Sequence, residues 1–87
     1  MGTVLAVFKI MPDDMDHFEE IKEAIKSAIP EGAQLQEIRE EPIAFGLKAL
    51  KVGVTMEDTG GILDKVEDAL RNVPHVESVN LETTTLI

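Results

Sequence analysis

The chain has 87 residues, 44% of them hydrophobic, which suits one small globular domain over residues 1–87 and argues against disorder. Its 17 acidic and 8 basic residues give a formal net charge of −9, a surface that repels phosphate backbones, so direct nucleic-acid binding is not expected. Cysteine is absent, which excludes disulfides and thiolate sites, and no apolar run approaches the roughly 20 residues of a membrane helix.

The first part of the chain predicts a strand followed by a helix. Thr3 to Met11 alternates, with one face formed by Val4, Ala6, Phe8 and Ile10. The chain enters this strand without a signal sequence, so a cytoplasmic location is expected. Asp14 or Asp16 is expected to cap the helix, with Glu19 at capping-box spacing from Asp16. The helix has an apolar face of Phe18, Ile21, Ile25, Ala28 and Ile29, and it is expected to end at Pro30-Glu31-Gly32.

The middle of the chain predicts an irregular strand and a turn that carries an aromatic residue. Leu35 and Ile38 have opposite parity within Gln34 to Glu41, which indicates a bulge or an edge position. Pro42 and Gly46 then bracket a predicted turn. Phe45 lies in this turn and is either exposed for a partner or folded back onto the core.

The second part of the chain repeats the order strand, helix, strand. The predicted third strand has one face of Leu50, Val52, Val54 and Met56, followed by an acidic turn, Glu57-Asp58-Thr59-Gly60-Gly61. The second helix is marked by Ile62, Leu63, Val66, Ala69 and Leu70 and stops near Asn72-Val73-Pro74. The last strand, Val76 to Ile87, is expected to have Val79, Leu81, Thr83, Thr85 and Ile87 on one side.

Two strand–helix–strand units predict an α+β fold of the ferredoxin-like βαββαβ kind. Right-handed crossovers interleave the units into a four-stranded antiparallel sheet with both helices on one face. Function must then lie on the open face, the edges or the loops.

The sequence gives no sign of enzymatic chemistry. It has no Ser-His-Asp spacing, phosphate loop or dinucleotide fingerprint. His17 and His75 are expected to be separate, solvated surface residues. Asp13–Asp16 and Glu57-Asp58 match no calcium-loop spacing and are better explained by helix capping. No metal, cofactor or catalytic residue is therefore expected.

Four segments, in order along the chain, resemble one protein family. They are Lys9-Ile10-Met11-Pro12, Ile29-Pro30-Glu31-Gly32, Glu41-Pro42-Ile43-Ala44-Phe45-Gly46-Leu47 and Val76-Glu77-Ser78-Val79. With them the chain resembles, from end to end, the archaeal translation elongation factor 1-beta family, the nucleotide-exchange factors of elongation factor 1-alpha. The resemblance implies the same ferredoxin-like fold and a monomeric protein that acts by contact with that GTPase.

The resemblance also implies the partner-binding residues. The aromatic that the family inserts into its partner corresponds to Phe45, and its turn supplies further partner-binding positions at Pro42, Ile43, Ala44 and Gly46. A basic residue that the family places near the magnesium and phosphate end of the nucleotide corresponds to Leu86, next to Ile87, and is not basic here. Lys48 and Lys51 are candidates for part of that charge role, and a solvated strand face explains them equally well.

Two other function classes remain open from the sequence. A small-molecule-sensing domain of the same fold would dimerise around an effector, whereas an exchange factor would be monomeric until it meets its GTPase. A small hydrolase is disfavoured because no nucleophile–base constellation is visible.

Overall fold

The computed structural model describes residues 2–57 and 61–87. The elements are β1 (Thr3–Pro12), α1 (Phe18–Ala28), β2 (Ala33–Ala44), β3 (Leu47–Glu57), α2 (Ile62–Arg71) and β4 (Val76–Leu86). The strands form an antiparallel sheet in the order β2-β3-β1-β4. This order confirms the ferredoxin-like prediction.

One face of the sheet and both helices enclose the core. Ala6, Phe8 and Ile10 lie opposite Val54, Val52 and Leu50, which puts the alternating apolar residues of the two central strands on the same face. The helices cover this face with Phe18, Ile21, Ile25, Val66 and Leu70, all buried. The sequence pattern predicted both apolar faces because it depends only on the periods of strand and helix.

Helix α1 begins differently from the capping expectation. The residue at the N-cap is His17, with no side-chain hydrogen bond to the helix, so the predicted cap at Asp14 or Asp16 is wrong. The Asp14 carboxylate instead accepts a hydrogen bond from the Asp16 N–H at 3.0 Å, which uses it within the preceding loop. At the other end Ile29 is already extended, as expected before Pro30.

Strand β2 is an edge strand with a register shift between Leu35 and Glu37, which confirms the prediction from the parity of its apolar residues. It continues through Ala44, so Pro42, Ile43 and Ala44 belong to the strand and the predicted five-residue turn is wrong. The turn itself is Phe45-Gly46.

Strand β4 changes face in its middle. Leu81 pairs with Phe8 whereas Thr83 pairs with Val7, so Glu82 is an extra residue and the register shifts there. The residues that lie opposite the inward-facing positions of β1 are therefore Thr84 and Leu86. The expectation that Thr83, Thr85 and Ile87 continue the side of Val79 and Leu81 is wrong for this reason.

The sheet is longer than the helices that cover it. Strands of 10–12 residues extend about 33–40 Å, whereas helices of 10–11 residues reach only about 15–17 Å. The molecule measures 43 × 20 × 17 Å. Both ends of the sheet therefore project beyond the core. Neither α1 nor α2 has the length and apolarity to cross a membrane.

The predicted acidic turn falls partly outside the described residues. Glu57 ends β3, and Gly61 precedes α2 in a left-handed conformation. Residues 58–60 between them are not described.

Candidate functional site

The β2–β3 hairpin ends in a two-residue turn with an unusual composition. Ala44 pairs with Leu47 across the turn, and Phe45 and Gly46 have φ angles of 53° and 79°. Two successive positive φ angles are the pattern of a type I′ turn, which most often contains Asn-Gly. Phenylalanine at the first position is strained, and this residue choice is not explained by the turn.

Phe45 does not fold back onto the core, so that alternative is wrong. Its relative exposure is 101%. Ile43 and Leu47 beside it are also exposed, at 43% and 47%. These three residues, Ile43, Phe45 and Leu47, form what we call the hairpin tip. Leu47 was not among the partner-binding residues predicted from the sequence. The sequence signal that could have identified it is an apolar residue directly after the turn, where the helices do not reach to bury it.

The strand leading to the tip contains a proline and a register shift. Pro42 pairs with Lys48, and Ala44 with Leu47, which leaves Ile43 as an extra residue between them. Proline lacks an N–H, and β2 is an edge strand, so the sheet tolerates it there. The fixed φ of Pro42 and the short turn therefore restrict the backbone that carries Phe45.

The base of the hairpin is tied to α1 by ion pairs. Lys22 Nζ donates to Glu40 Oε2 at 2.7 Å, and Lys48 Nζ donates to Glu40 Oε1 at 3.2 Å. The hydrogen bond from Lys22 holds the pKa of Glu40 below its usual value, and the same contact raises the pKa of Lys22. The helix thus helps to fix the direction of the strand that carries the tip.

The open face of the sheet carries a row of alternating charges. Lys51 Nζ lies 3.0 Å from Glu41 Oε2 and 3.1 Å from Glu82 Oε1, and Lys9 Nζ lies 3.6 Å from Glu41. The hydrogen bond with Lys51 lowers the pKa of Glu41 and raises that of Lys51. Lys48 and Lys51, the candidates for a displaced charge role, are both engaged by carboxylates.

The other predicted contact residues lie at the opposite end of the molecule. Leu86 pairs with Val4 near the start of β1, whereas Leu50 pairs with Ile10 near its end, and the turn lies beyond Leu50. About eleven residues of strand separate the levels of Leu86 and Phe45, or roughly 35 Å. Leu86 and Ile87 are exposed, and the Ile87 N–H donates to the Thr3 carbonyl at 2.8 Å. The backbone at Ile87 is therefore paired with the start of β1, and the chain end forms a second surface rather than part of the hairpin tip.

The two histidines are not the separate solvated residues expected from the sequence. Their rings stack with centroids 3.7 Å apart and planes 11° apart. The described residues that could together hold a metal ion are His17, Glu20 and His75. The sequence could not reveal this, because 58 positions separate the two histidines along the chain.

A groove at the far end of the sheet has a volume of about 440 Å³. It is lined by Thr3, Gly32, Ala33, Gln34, Thr55, Met56 and Glu57. This lining holds one carboxylate and no imidazole, which does not make a nucleophile–base pair.

Comparison with known proteins identifies close sequence relatives. Residues 5–87 match the family described as EF-1 guanine nucleotide exchange domain. Elongation factor 1-beta of Methanocella arvoryzae is 45% identical over 85 residues, 97% of this chain and 96% of that protein. Elongation factor 1-beta of Methanosarcina barkeri is 48% identical over 83 residues, 93% of each chain.

Two solved structures share the fold at much lower sequence identity. The ACT domain from GTP pyrophosphokinase of Chlorobium tepidum superimposes with a TM-score of 0.63 over 90% of this chain and 96% of that one, at 19% identity. Ribosomal protein S6 from Thermotoga maritima gives a TM-score of 0.57 over 100% of this chain and 89% of that one, at 13% identity. At such identities the likeness shows the fold alone.

Proposed function

The chain belongs to the EF-1 guanine nucleotide exchange domain family, and from that premise we propose that it promotes GDP release from elongation factor 1-alpha so that GTP can rebind. The family is described as a guanine nucleotide exchange domain, and the relatives are named as translation elongation factors, which supports a nucleotide-exchange role in elongation. The proposal adds the GTPase partner, the step that is accelerated and the residues that act.

The observation that carries the proposal is the fully exposed Phe45 at a turn position with a positive φ. A monomeric domain gains nothing for its own folding from an aromatic side chain in water at a strained turn position. A hydrophobic pocket on a partner provides a reason for it, because rigid aromatics placed in pockets often dominate the binding energy of an interface. Ile43 and Leu47 extend the apolar contact, and Pro42, Ala44 and Gly46 set its geometry.

Exchange follows if Phe45 binds a form of the GTPase that holds GDP weakly. By linkage, a factor that prefers the nucleotide-free partner weakens GDP binding by the same ratio. Burial of one phenylalanine contributes about 1.5–3 kcal/mol, and each 1.4 kcal/mol corresponds to about tenfold in affinity. Phe45 alone can thus supply one to two powers of ten.

The chain end forms the second part of the proposed interface. Leu86 and Ile87 are exposed at the end of β4, about 35 Å from the tip, so a partner that contacts both must present a surface of that length. Leu86 has no charge with which to compete for magnesium, so we propose that the hairpin tip carries most of the exchange.

Residues 1–87 would act as one domain, by contact rather than by catalysis, as a cytoplasmic protein that is monomeric when free and needs no cofactor for exchange. The charged row on the open face supports the monomer, because a sheet-to-sheet dimer would have to desolvate Glu41, Lys51 and Glu82. A sensing domain that dimerises around an effector through its sheets is therefore disfavoured, and sedimentation of the free protein tests dimerisation through either the sheets or the helices.

The proposal is tested by release of a fluorescent GDP analogue from the cognate elongation factor 1-alpha at low and high magnesium. Wild type should accelerate release at both concentrations, since the tip does not act through magnesium. Phe45→Ala should slow the stimulated release at least about tenfold, because it removes the side chain that enters the pocket.

The matched control is Leu81→Ala, which removes a partly exposed apolar side chain from β4. It should retain exchange, and circular dichroism and urea unfolding should show that Phe45→Ala remains folded. Equal exchange by Phe45→Ala and wild type would reject the role of the tip. Wild-type protein that fails to accelerate release from an active GTPase would reject the proposed function.

A further inference from the structure

The loops that precede α1 and β4 meet at one end of the sheet. Pro12, the last residue of β1, pairs with Val76, the first of β4, and the Asp13 N–H donates to the His75 carbonyl at 2.8 Å. This bond fixes His75 beside the start of α1, where His17 occupies the N-cap. The stacking of the two imidazoles is thus a product of the fold and involves two separate loops.

His75 occupies this position with a strained backbone conformation. Its φ is 70°, in the left-handed region that favours glycine or asparagine. Strain that the surrounding structure maintains is often found at functional positions. Here it directs an imidazole over His17.

The nitrogen atoms of the pair are near carboxylates but are not hydrogen-bonded to them. His17 Nδ1 is excluded from solvent and has no hydrogen-bond partner, although Glu20 Oε2 lies 3.4 Å away. Asp13 Oδ2 lies 3.5 Å from His75 Nδ1. A solvent-excluded nitrogen without a partner is costly, which makes it a feature to be explained.

The spacing matches ligands that share a cation. Two ligands of a tetrahedral zinc ion, each about 2.0–2.1 Å from the metal, lie about 3.4 Å apart, the distance between His17 Nδ1 and the Glu20 carboxylate. Ligand atoms of His17, Glu20 and His75 all lie within 4.8 Å of one another. Because an imidazole binds a metal in the plane of its own ring, the two stacked rings must turn out of their parallel arrangement for both to reach one ion. Both histidine side chains are about one-third exposed, which leaves room for that rotation and for a water as fourth ligand.

We propose that His17, Glu20 and His75 form a binding site for a divalent transition metal of the zinc type. Imidazole nitrogens select such metals over Mg²⁺ and Ca²⁺, which prefer sites made only of oxygen. Asp13 Oδ2 lies 3.5 Å from His75 Nδ1, where a slightly closer approach would let it accept the hydrogen bond by which carboxylates orient ligating histidines. The carboxylates of Glu20 and Asp13 offset both the ion's charge and the positive end of α1.

Bound metal joins the α1 and β4 loops at the end of the sheet from which the hairpin projects. It should therefore raise the thermal stability of the protein, because the ion binds the folded chain with ligands that the unfolded chain does not bring together.

The test is a titration of metal-free protein with Zn²⁺, observed by ¹⁵N NMR of the imidazoles and by calorimetry. The chain has 2 histidines, so each imidazole signal is assigned by a single variant. One equivalent should shift the ligating nitrogens of both histidines and raise the melting temperature, and chelation should reverse both effects. Ca²⁺ at the same concentration should do neither.

Three variants and one control separate this site from adsorption to an acidic surface. His17→Gln, Glu20→Gln and His75→Asn should each weaken Zn²⁺ binding at least about tenfold. Asparagine is chosen at position 75 because it tolerates the left-handed backbone. Glu23→Gln, one turn along the same helix, removes an equal charge and should bind Zn²⁺ as wild type does. Binding that leaves both imidazole spectra unchanged, or that survives in folded His17→Gln and His75→Asn, would overturn the proposal.

Discussion

Phe45 holds a backbone conformation that folding alone assigns to other residue types. A left-handed φ costs an L-residue about 1–2 kcal/mol, and asparagine and glycine relieve much of that cost. Full exposure means that no packing within the domain compensates Phe45 for its strain. At the residue scale, stability and the proposed partner contact thus favour different side chains at position 45.

Phe45→Asn is therefore expected to raise the stability of the free domain by about 1 kcal/mol while it reduces exchange at least about tenfold. Urea unfolding should show a higher midpoint with an unchanged slope, and nucleotide release should show the loss of stimulation. A lower midpoint would mean that Phe45 makes stabilising contacts with Ile43 or Leu47, and the conflict between stability and function would not exist.

At the element scale, the sequence predicted what local periodicity determines and failed where pairing between strands decides. Both helices, the central strands and the β2 irregularity follow from apolar spacing. The register shift at Glu82 does not follow from apolar spacing. The polar residues after Leu81 do not indicate which face of the sheet they occupy, and their register is set by pairing with β1. The same limit applies to His17 and His75, whose contact depends on the meeting of two loops. Phe45 and its turn were located because Pro42, Gly46 and an unneeded aromatic occur together.

The Lys22–Glu40 pair connects α1 to β2 and gives stability a defined pH dependence. Since the pKa of Glu40 is lower in the folded protein than its ordinary 4.5, this contribution is present above about pH 4.5 and is lost as pH falls through the folded pKa. The raised pKa of Lys22 places the upper limit above 10.5. Glu40 is exposed and Lys22 is half-buried, so solvent screens the pair and high salt should reduce the effect.

Thermal unfolding between about pH 3 and 7 tests this dependence. In Glu40→Gln the melting temperature is expected to fall less steeply with decreasing pH than in wild type. Glu31→Gln, in the loop between α1 and β2, removes a carboxylate of equal charge away from the pair and is expected to retain the wild-type dependence. Parallel curves for wild type and Glu40→Gln would show that other carboxylates dominate acid unfolding.

At the scale of the whole molecule, the two proposed contact surfaces lie about 35 Å apart along the strands, at opposite ends of a molecule 43 Å long. Effects at sites so far apart, with no shared neighbours, are expected to be additive in free energy. The family resemblance implies a basic residue at position 86, and the exposure of Leu86 allows a lysine there without loss of packing.

Leu86→Lys is accordingly expected to increase exchange most at high magnesium, where a charge near the nucleotide's metal site matters most. The factor by which Leu86→Lys raises the exchange rate should be the same whether residue 45 is phenylalanine or alanine. Leu86→Gln, polar but uncharged, is the matched control and should exchange as wild type does. An increase with glutamine, or none with lysine, would remove magnesium competition from the role of the chain end.

The net charge of −9 is expected to affect the rate of association with the proposed partner more than the stability of the complex. An acidic surface accelerates encounter with a basic partner, and the Debye length shortens from about 30 Å to about 8 Å between ionic strengths of about 0.01 and 0.15 M. Over this range the association rate with elongation factor 1-alpha should fall while the dissociation rate changes little. Phe45→Ala should do the reverse, because a buried anchor acts after encounter. Stopped-flow measurements of both proteins separate the two effects, and association that quickens with salt would mean that the partner surface is itself acidic.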